Sequence, residues 1–320
     1  MIHLLATGGT IAGEADPEAG HGRYRAGVRP VEALVAAVPG LADAGPLTAR
    51  QILALDSKDM TPADWLAILA ATRTAVADPS CDGVVILHGT DTLEETAWFL
   101  HLSLPAGKPV VLTGAMRPAD HPAADGPANL LAAVRLAASP EARDKGVLVV
   151  MNGTAFGARR VVKARCSGLD AFESPEPWQA ARADGRFAGL AAPELPRVDI
   201  LPGYAGAPAD LIDASVAAGA RGLVLALAGN GSVPAAWLPA LRAARRQGVA
   251  IVRGSRAAGP VEADANADDT GEGWLTAGDQ PPPKARIALM LGLASGLGGE
   301  ALRAVLLACD AARSIRPAPA

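Results

Sequence analysis

The chain has 320 residues, a length that corresponds to about two domains of ordinary size. Half of its residues are hydrophobic and 19% are charged, which excludes a disordered chain or a coiled coil as the main state. The formal net charge of −4 argues against a nucleic-acid-binding surface, and no apolar run reaches the roughly 20 residues of a membrane span. Lysine and tyrosine are scarce, with five and two copies. A lysine or tyrosine beside a motif is therefore less expected by chance than a common residue would be.

The three cysteines, Cys81, Cys166 and Cys309, are widely spaced and form no CxxC pair. This pattern predicts reduced thiols rather than a disulfide framework or a zinc site. The first residues, Met1 to Ala6, lack the basic and apolar regions of a signal peptide. We therefore expect a cytoplasmic protein without a metal site.

Short apolar runs alternate with helical patterns along the first half of the chain. Strands are predicted at 2–6, 83–87, 109–113 and 146–151, and helices at 30–38, 61–77, 92–103 and 127–138. Thr61 before Pro62 is a predicted N-cap. The alternation predicts a parallel sheet with helices on both faces. Because ligands of open α/β sheets bind where strands end, a candidate site lies among residues 7–10, 88–91 and 114–118.

The composition changes at residues 189–197, which are rich in alanine and proline and are predicted to be a linker. A second alternation follows, with strands predicted at 198–201, 222–228 and 249–252, and helices at 208–218, 233–247, 285–293 and 299–309. The predicted fold is therefore α/β throughout. A larger N-terminal catalytic domain spans 1–188, and a smaller C-terminal α/β domain spans 198–320.

The glycine-rich motif at residues 7–13, Thr-Gly-Gly-Thr-Ile-Ala-Gly, follows the first predicted strand. It has neither the spacing of a dinucleotide fingerprint nor the lysine of a P-loop. On its own it is explained by a tight turn in which Thr10 is only a cap. The alternative is that the glycines expose the Thr10 hydroxyl, which would attack a carbonyl if a base or proton relay activated it.

The second motif, His-Gly-Thr-Asp-Thr at residues 88–92, follows another predicted strand. Thr92 and Glu95 predict a capping box for the next helix, and Asp91 is also a good cap. A helix N-terminus alternatively stabilises an anion, such as a substrate carboxylate or an oxyanion. His88 is expected to pack or hydrogen-bond near this turn.

Lys163 lies in a basic stretch, residues 159–165. It is either one more surface cation or a desolvated lysine that takes a proton from Thr90 while Asp91 orients it. At the start of the helix predicted at 127–138, Asp125 and Asn129 are expected to stabilise the preceding loop and the helix start rather than to touch a substrate.

Together these motifs resemble the bacterial-type L-asparaginase family, which includes the glutaminase-asparaginases. The resemblance starts with residues 6–13 and 87–96 and continues in order over nearly the whole chain, through 57–60, 114–118, 125–129, 149–152, 229–231 and 284–286. It implies the asparaginase-like fold and hydrolysis of a small-molecule side-chain amide to a carboxylate and ammonia. It also implies no metal or organic cofactor, no nucleic-acid or membrane partner, and a homotetramer built from intimate dimers.

The resemblance also implies roles for individual residues. Thr10 matches the nucleophile that forms the acyl-enzyme. Tyr24 lies in the glycine-rich loop 11–27, which would be a lid that closes over the substrate, and matches a lid tyrosine that helps to activate Thr10. Thr90, Asp91 and Lys163 match a proton-relay triad.

Substrate-binding groups follow from the same match. Asp91 and Ser57 correspond to groups that hold the α-amino and α-carboxylate ends of the substrate, and the backbone carbonyl of Ala115 corresponds to one that orients the amide nitrogen. Asn230 either is structural or reaches the site of a neighbouring subunit.

Two positions depart from the family pattern. Lys58 follows Ser57, where secreted members commonly carry a Gln or Glu that helps to bind the substrate ammonium. Asn266 stands where an acid from a neighbouring subunit is expected. In one interpretation Lys58 faces solvent or pairs with a nearby acid, and the protein is an ordinary asparaginase. In the other, a cation in the pocket favours an amide that lacks a free α-amino group or has an extra carboxylate.

Two further alternatives use the same fold. The first is a catalytically silent amino-acid sensor, against which the presence of Thr10, Tyr24, Thr90, Asp91 and Lys163 argues. The second is the glutaminase-like subunit of a tRNA-dependent amidotransferase, which the absence of an extension before Ile2 and of a basic RNA surface disfavours.

Overall fold

The N-terminal unit, Met1–Gly189, contains ten strands and four α-helices among the residues that the structure, a computed structural model, describes, which are 1–16 and 24–307. In chain order the strands are β1 (Ile2–Gly8), β2 (Glu14–Ala15), β3 (Tyr24–Arg25), β4 (Leu47–Leu55), β5 (Gly83–Leu87), β6 (Val110–Thr113), β7 (Val147–Met151), β8 (Thr154–Gly157), β9 (Val162–Lys163) and β10 (Phe172–Glu173). The helices are α1 (Val31–Ala36), α2 (Pro62–Ala77), α3 (Leu93–Ser103) and α4 (Gly126–Ala138).

Six of these strands form one sheet in the order β4-β1-β5-β6-β7-β8. The first five are parallel, and β8 is antiparallel to β7. Every residue of β5, β6 and β7 is buried, which explains why these strands are continuous apolar runs in the sequence. The predicted parallel sheet is therefore confirmed, with one antiparallel strand added at its edge.

Helices cover both faces of this sheet, as predicted. On one face Leu4, Leu87 and Leu148 belong to a single apolar cluster with residues of α1 and α4. On the other face α2 packs against β1, β4 and β5, and the His3 side chain lies 3.4 Å from Asp78 at the end of α2. Successive residues of β1 thus point to opposite layers, as the pleat of a strand requires.

The sequence interpretation missed both edge strands. In β4 exposed residues are interspersed with partly buried ones, and Arg50 and Gln51 break any apolar run, so its pattern is weak. β8 follows β7 through Asn152 and Gly153, which have φ angles of 47° and 71°. An Asn-Gly pair with two positive φ angles is typical of a two-residue hairpin turn, so this signal was available in the sequence.

The first turn of α2 is confirmed in detail. The Thr61 side chain accepts a hydrogen bond from the Asp64 amide, and the Asp64 carboxylate accepts one from the Thr61 amide, which completes a capping box before Pro62. The capping box predicted for α3 is wrong, because Thr92 makes no side-chain cap there. The Thr92 hydroxyl instead donates to the Ser57 carbonyl oxygen at 2.8 Å.

The C-terminal unit, Leu190–Ala320, has its own parallel sheet. Its strands are β11 (Val198–Pro202), β12 (Gly222–Leu227), β13 (Ala250–Ser255) and β14 (Leu275–Thr276), hydrogen-bonded in that order. Its helices are α5 (Asp210–Ala217), α6 (Leu238–Arg246), α7 (Asp269–Glu272), α8 (Pro282–Ala294) and α9 (Gly299–Leu307). Leu223, Leu225 and Leu227 of β12 and Ile251 of β13 pack with Trp237 and Trp274 in one core.

The predicted alternation in this unit is confirmed, although the short elements β14 and α7 were not predicted. The end of the helix predicted at 299–309 and Cys309 lie outside the described residues. None of the helices described is both long enough and apolar enough to cross a membrane.

Candidate active site

The turns that follow β4, β1 and β5 meet at one edge of the sheet, because these three strands are neighbours in it. A side chain on Gly9 would lie 2.4 Å from the backbone of Gly89, and one on Gly89 would lie 2.5 Å from the Ser57 hydroxyl. Gly9 also has a φ of 80°, a conformation that favours glycine. The glycines therefore allow backbone-to-backbone contact, which brings the turns carrying Ser57, Thr10 and Thr90 together.

Thr10 and Tyr24 form the first pair of predicted residues that the structure places in contact. Their hydroxyl oxygens are 2.7 Å apart, with Thr10 buried and Tyr24 38% exposed. Tyr24 lies in β3, which pairs with β2, so residues 14–15 and 24–25 hold it over the turn. The part of the predicted lid at 17–23 lies outside the described residues.

Thr90, Asp91 and Lys163 form the second group. The Lys163 ammonium donates to the Thr90 hydroxyl at 2.9 Å and to the Asp91 carboxylate at 2.6 Å. Lys163 comes from β9, 72 positions beyond Asp91, and its side chain is only 17% exposed. Lys163 is therefore not a solvated surface cation, and the arrangement can move a proton between the threonine and the lysine.

Ser57 joins this group from the turn after β4. Its buried hydroxyl accepts a hydrogen bond from the Asp91 amide at 3.2 Å, and its carbonyl accepts from Thr92. The Thr92 hydroxyl is therefore used to tie the two turns together, and this contact is the reason that the predicted capping box fails.

Lys58 is paired with the two acidic residues that flank it and Ser57 in the chain. Its ammonium lies 2.6 Å from the Asp56 carboxylate and 3.4 Å from that of Asp59, and its side chain is 60% exposed. The hydrogen bond that the Lys58 ammonium donates to the Asp56 carboxylate raises the pKa of Lys58 above its ordinary value. This geometry matches the interpretation in which Lys58 pairs with a nearby acid, rather than the one in which its charge lies in the substrate pocket.

Ala115 is fully buried in the loop after β6. The Asp125 carboxylate accepts hydrogen bonds from the amides of Met116 and Arg117, at 3.0 and 2.9 Å. Asn129 donates to the carbonyl oxygen of Gly114 at 3.0 Å. Asp125 and Asn129 thus fix the loop around Ala115, as expected from the sequence.

His88 is buried beneath the turn rather than exposed at its edge. Its Nδ1 donates to the Gly89 carbonyl at 2.7 Å, and its Nε2 accepts from the Thr96 hydroxyl at 2.9 Å. Thr96 in turn accepts from the Trp65 indole at 3.0 Å. Burial lowers the pKa of His88 from 6.5 to about 4. The histidine is therefore neutral at pH 7 and supports the turn from below.

Because His88 stays neutral in the native state, acid is expected to destabilise the fold through it. Between pH 6.5 and pH 4 the unfolded chain binds a proton at His88 that the native chain does not, so stability is lost as the pH falls. The expected loss is about 3 kcal/mol by pH 4. Urea unfolding of the parent and of His88→Gln across this pH range measures the loss. The free energy of unfolding of the variant should depend less on pH, because the variant has no imidazole to protonate. Equal pH slopes in the two proteins would contradict the expectation.

Asn230 and Asn266 lie in the C-terminal unit. The side-chain carbonyl of Asn230 accepts from the Glu262 amide at 2.8 Å, so it ties two loops together. The exposed Asn266 donates to the Ser232 hydroxyl at 3.4 Å. The structure thus brings together the predicted site residues of the N-terminal unit. The two asparagines lie in loops of the C-terminal unit.

Sequence reasoning missed Glu94, whose carboxylate accepts a hydrogen bond from the backbone amide of Lys163 at 2.7 Å. Within residues 1–16 and 24–307, no group of three or more His, Cys, Asp or Glu side chains could hold a metal ion.

Comparisons with known proteins agree with this geometry. The family model described as "Asparaginase, N-terminal" matches residues 1–191, and "Glutaminase/Asparaginase C-terminal domain" matches 197–306. The chain is 39% identical to "Probable L-asparaginase periplasmic" of Haemophilus influenzae (91% of this chain, 88% of that protein). It is also 39% identical to "L-asparaginase 2" of Bacillus subtilis (91% and 82%).

A solved structure, described as a probable cytoplasmic L-asparaginase from Campylobacter jejuni, superposes with a TM-score of 0.87 at 36% identity, over 96% of this chain and 98% of that one. The fold and the paired hydroxyl groups define an amidohydrolase. The match extends over both units, and the chain belongs to the asparaginase family.

Proposed function

We propose that the protein is an L-asparaginase, which hydrolyses L-asparagine to L-aspartate and ammonia through an acyl-enzyme on Thr10. One observation carries the proposal: two hydroxyl groups on neighbouring turns each have a proton-transfer partner, Tyr24 for Thr10 and Lys163 for Thr90. Family membership supports the reaction class.

In the first half of the reaction, the Thr10 oxygen attacks the amide carbonyl of the substrate. Its proton passes to the Tyr24 oxygen while the phenol proton moves on toward the amide nitrogen, which leaves as ammonia. The 2.7 Å separation of the two oxygens supports this transfer. A threonine hydroxyl is a weak nucleophile without such a partner, so the contact accounts for its activation.

In the second half, water attacks the ester carbonyl on Thr10. The water passes a proton to the Thr90 oxygen as Lys163, in its neutral amine form, takes the proton of that hydroxyl and becomes an ammonium. When the bond between Thr10 and the acyl carbon breaks, the Tyr24 phenol protonates the leaving Thr10 oxygen, the carboxylic acid product returns a proton to Tyr24, and Lys163 releases its extra proton to solvent. Asp91 holds the lysine ammonium through the 2.6 Å contact. The carboxylate of Asp91 is still 53% exposed and is therefore accessible to a substrate ammonium.

Substrate recognition is proposed for Ser57, Asp91 and the carbonyl of Ala115. Asn230 and Asn266 are proposed to complete the site of a neighbouring subunit in a homotetramer. Light scattering of the purified protein tests the homotetramer, because it measures the mass of the assembly in solution. A cytoplasmic location is proposed with the support of the Campylobacter structure, which is that of a probable cytoplasmic L-asparaginase, whereas the Haemophilus relative is described as periplasmic.

A panel of asparagine, glutamine and succinamate with ammonia as the readout tests the substrate. We expect the highest kcat/KM with asparagine, because the charge of Lys58 is paired with Asp56 and Asp59 and its side chain is 60% exposed. Binding of asparagine without any turnover would favour the sensor. A preference for succinamate would favour the alternative amide without a free α-amino group.

Lys58→Gln is expected to change the ratio of kcat/KM for asparagine to that for succinamate by less than about threefold, because exposed ion pairs contribute little. Lys145→Gln is the matched control, since Lys145 donates to the Gln179 carbonyl in an exposed region outside the three turns. A shift of the ratio toward asparagine by tenfold or more in Lys58→Gln alone would contradict the proposed specificity.

A further inference from the structure

The hairpin that carries Lys163 is not part of the large sheet. β9 has two residues and pairs with β10 alone, and the two strands form a separate antiparallel ladder. A lysine side chain has four rotatable bonds, so holding its ammonium at one point requires a fixed backbone. The position of this hairpin relative to α3 therefore decides where the ammonium lies.

One segment of chain holds Lys163 at both ends. The ammonium contacts Thr90 and Asp91, just before α3 begins, while the backbone amide donates to Glu94 in the first turn of the same helix. The amide contact is 2.7 Å long and partly buried, and a carboxylate acceptor makes such a bond stronger than a neutral one. The negative charge is also favourable at a helix N-terminus.

We propose that Glu94 is a positioning residue of the relay: its carboxylate fixes the backbone of Lys163 and so sets the distance from the lysine ammonium to Thr90. The inference rests on the proposed roles of Thr90, Asp91 and Lys163. Glu94 contacts the backbone of Lys163 and not its ammonium, so its contribution is geometric. A displacement of about 1 Å at a reacting group can lower a rate by about a hundredfold.

Two conservative variants separate reach from charge. Glu94→Gln keeps the length of the side chain and an acceptor oxygen, but removes the charge. Glu94→Asp keeps the charge, but withdraws the acceptor by one methylene group. We expect Glu94→Gln to retain kcat within about threefold of the parent, and Glu94→Asp to lose roughly tenfold or more in kcat, with KM for asparagine changed less than about twofold in both.

Glu173→Gln is the control, because Glu173 lies on β10 of the same hairpin with an exposed side chain and pairs with Val162 rather than Lys163. It is expected to leave kcat unchanged. Thermal unfolding of each variant verifies that the native fold is retained.

The opposite order, with Glu94→Asp active and Glu94→Gln impaired, would overturn the inference in favour of a charge effect. Parent-like kcat in both variants would also overturn it, provided that Lys163→Met is inactive in the same assay. If Lys163→Met keeps full activity, the proposed relay itself fails, and the role of Glu94 fails with it.

Discussion

Replacing Thr10 with alanine is expected to reduce ammonia release from asparagine by at least about a thousandfold, because the attacking oxygen is lost. Thr90→Val should have a comparable effect on turnover, since Lys163 then has no hydroxyl from which to accept a proton. Thr10→Ala removes formation of the acyl-enzyme, whereas Thr90→Val impairs its hydrolysis. Mass spectrometry of the protein mixed with asparagine should therefore detect an acylated chain only in Thr90→Val.

Thr7→Val is the matched control for these two variants. Thr7 is a buried threonine of β1, three residues before Thr10, and its hydroxyl donates to the Leu87 carbonyl at 2.8 Å. Its loss should reduce stability by about 1 kcal/mol and leave kcat close to that of the parent. Ammonia release that survives in both Thr10→Ala and Thr90→Val would refute the proposed mechanism.

The second large effect is expected in the C-terminal unit, where Arg253 and Asp269 form a fully buried ion pair. Two guanidinium nitrogens donate to the two carboxylate oxygens, and the same side chain donates to the carbonyls of Asn230, Gly231 and Glu262. Arg253→Met alone leaves an uncompensated buried carboxylate and is expected to reduce the free energy of unfolding by about 3–5 kcal/mol.

The double variant Arg253→Met with Asp269→Leu is expected to recover most of that loss, because it removes both charges and keeps the volume apolar. Its remaining deficit reflects the three loop carbonyls that lose their donor and the Asp264 amide that loses its acceptor. Denaturant unfolding of the parent, both single variants and the double variant measures the coupling. Additive losses in the double variant would contradict the expectation.

Seven strands of the two sheets, β1, β5, β6, β7, β11, β12 and β13, could be predicted because buried parallel strands are short apolar runs that end in glycine or polar residues. β4 could not be predicted in this way, since it lies at an edge and Arg50 and Gln51 interrupt its apolar character. The contact of Thr10 with Tyr24 follows from the resemblance, whereas propensity or periodicity alone gives no information about it.

Tertiary contacts explain the remaining differences. Thr92 has the right identity and position for a cap, but its hydroxyl is used 35 positions away, at Ser57. The contact of Glu94 could not be predicted, because its partner Lys163 lies 69 positions later in the chain. The Lys58 ammonium is held by the carboxylates of Asp56 and Asp59. The sequence shows that these acids are nearby, but it does not show that the lysine pairs with them.

The contact between Gly9 and Gly89 has a consequence for redesign of the site. Since no side chain separates the two turns, their spacing is set by the van der Waals radii of main-chain atoms and does not vary with side-chain rotamers. An alanine at either position would force the turns apart, because its methyl group would overlap the opposite backbone or the Ser57 side chain. A directed-evolution library aimed at new amides should therefore hold both glycines constant and vary Lys58 and its exposed neighbours.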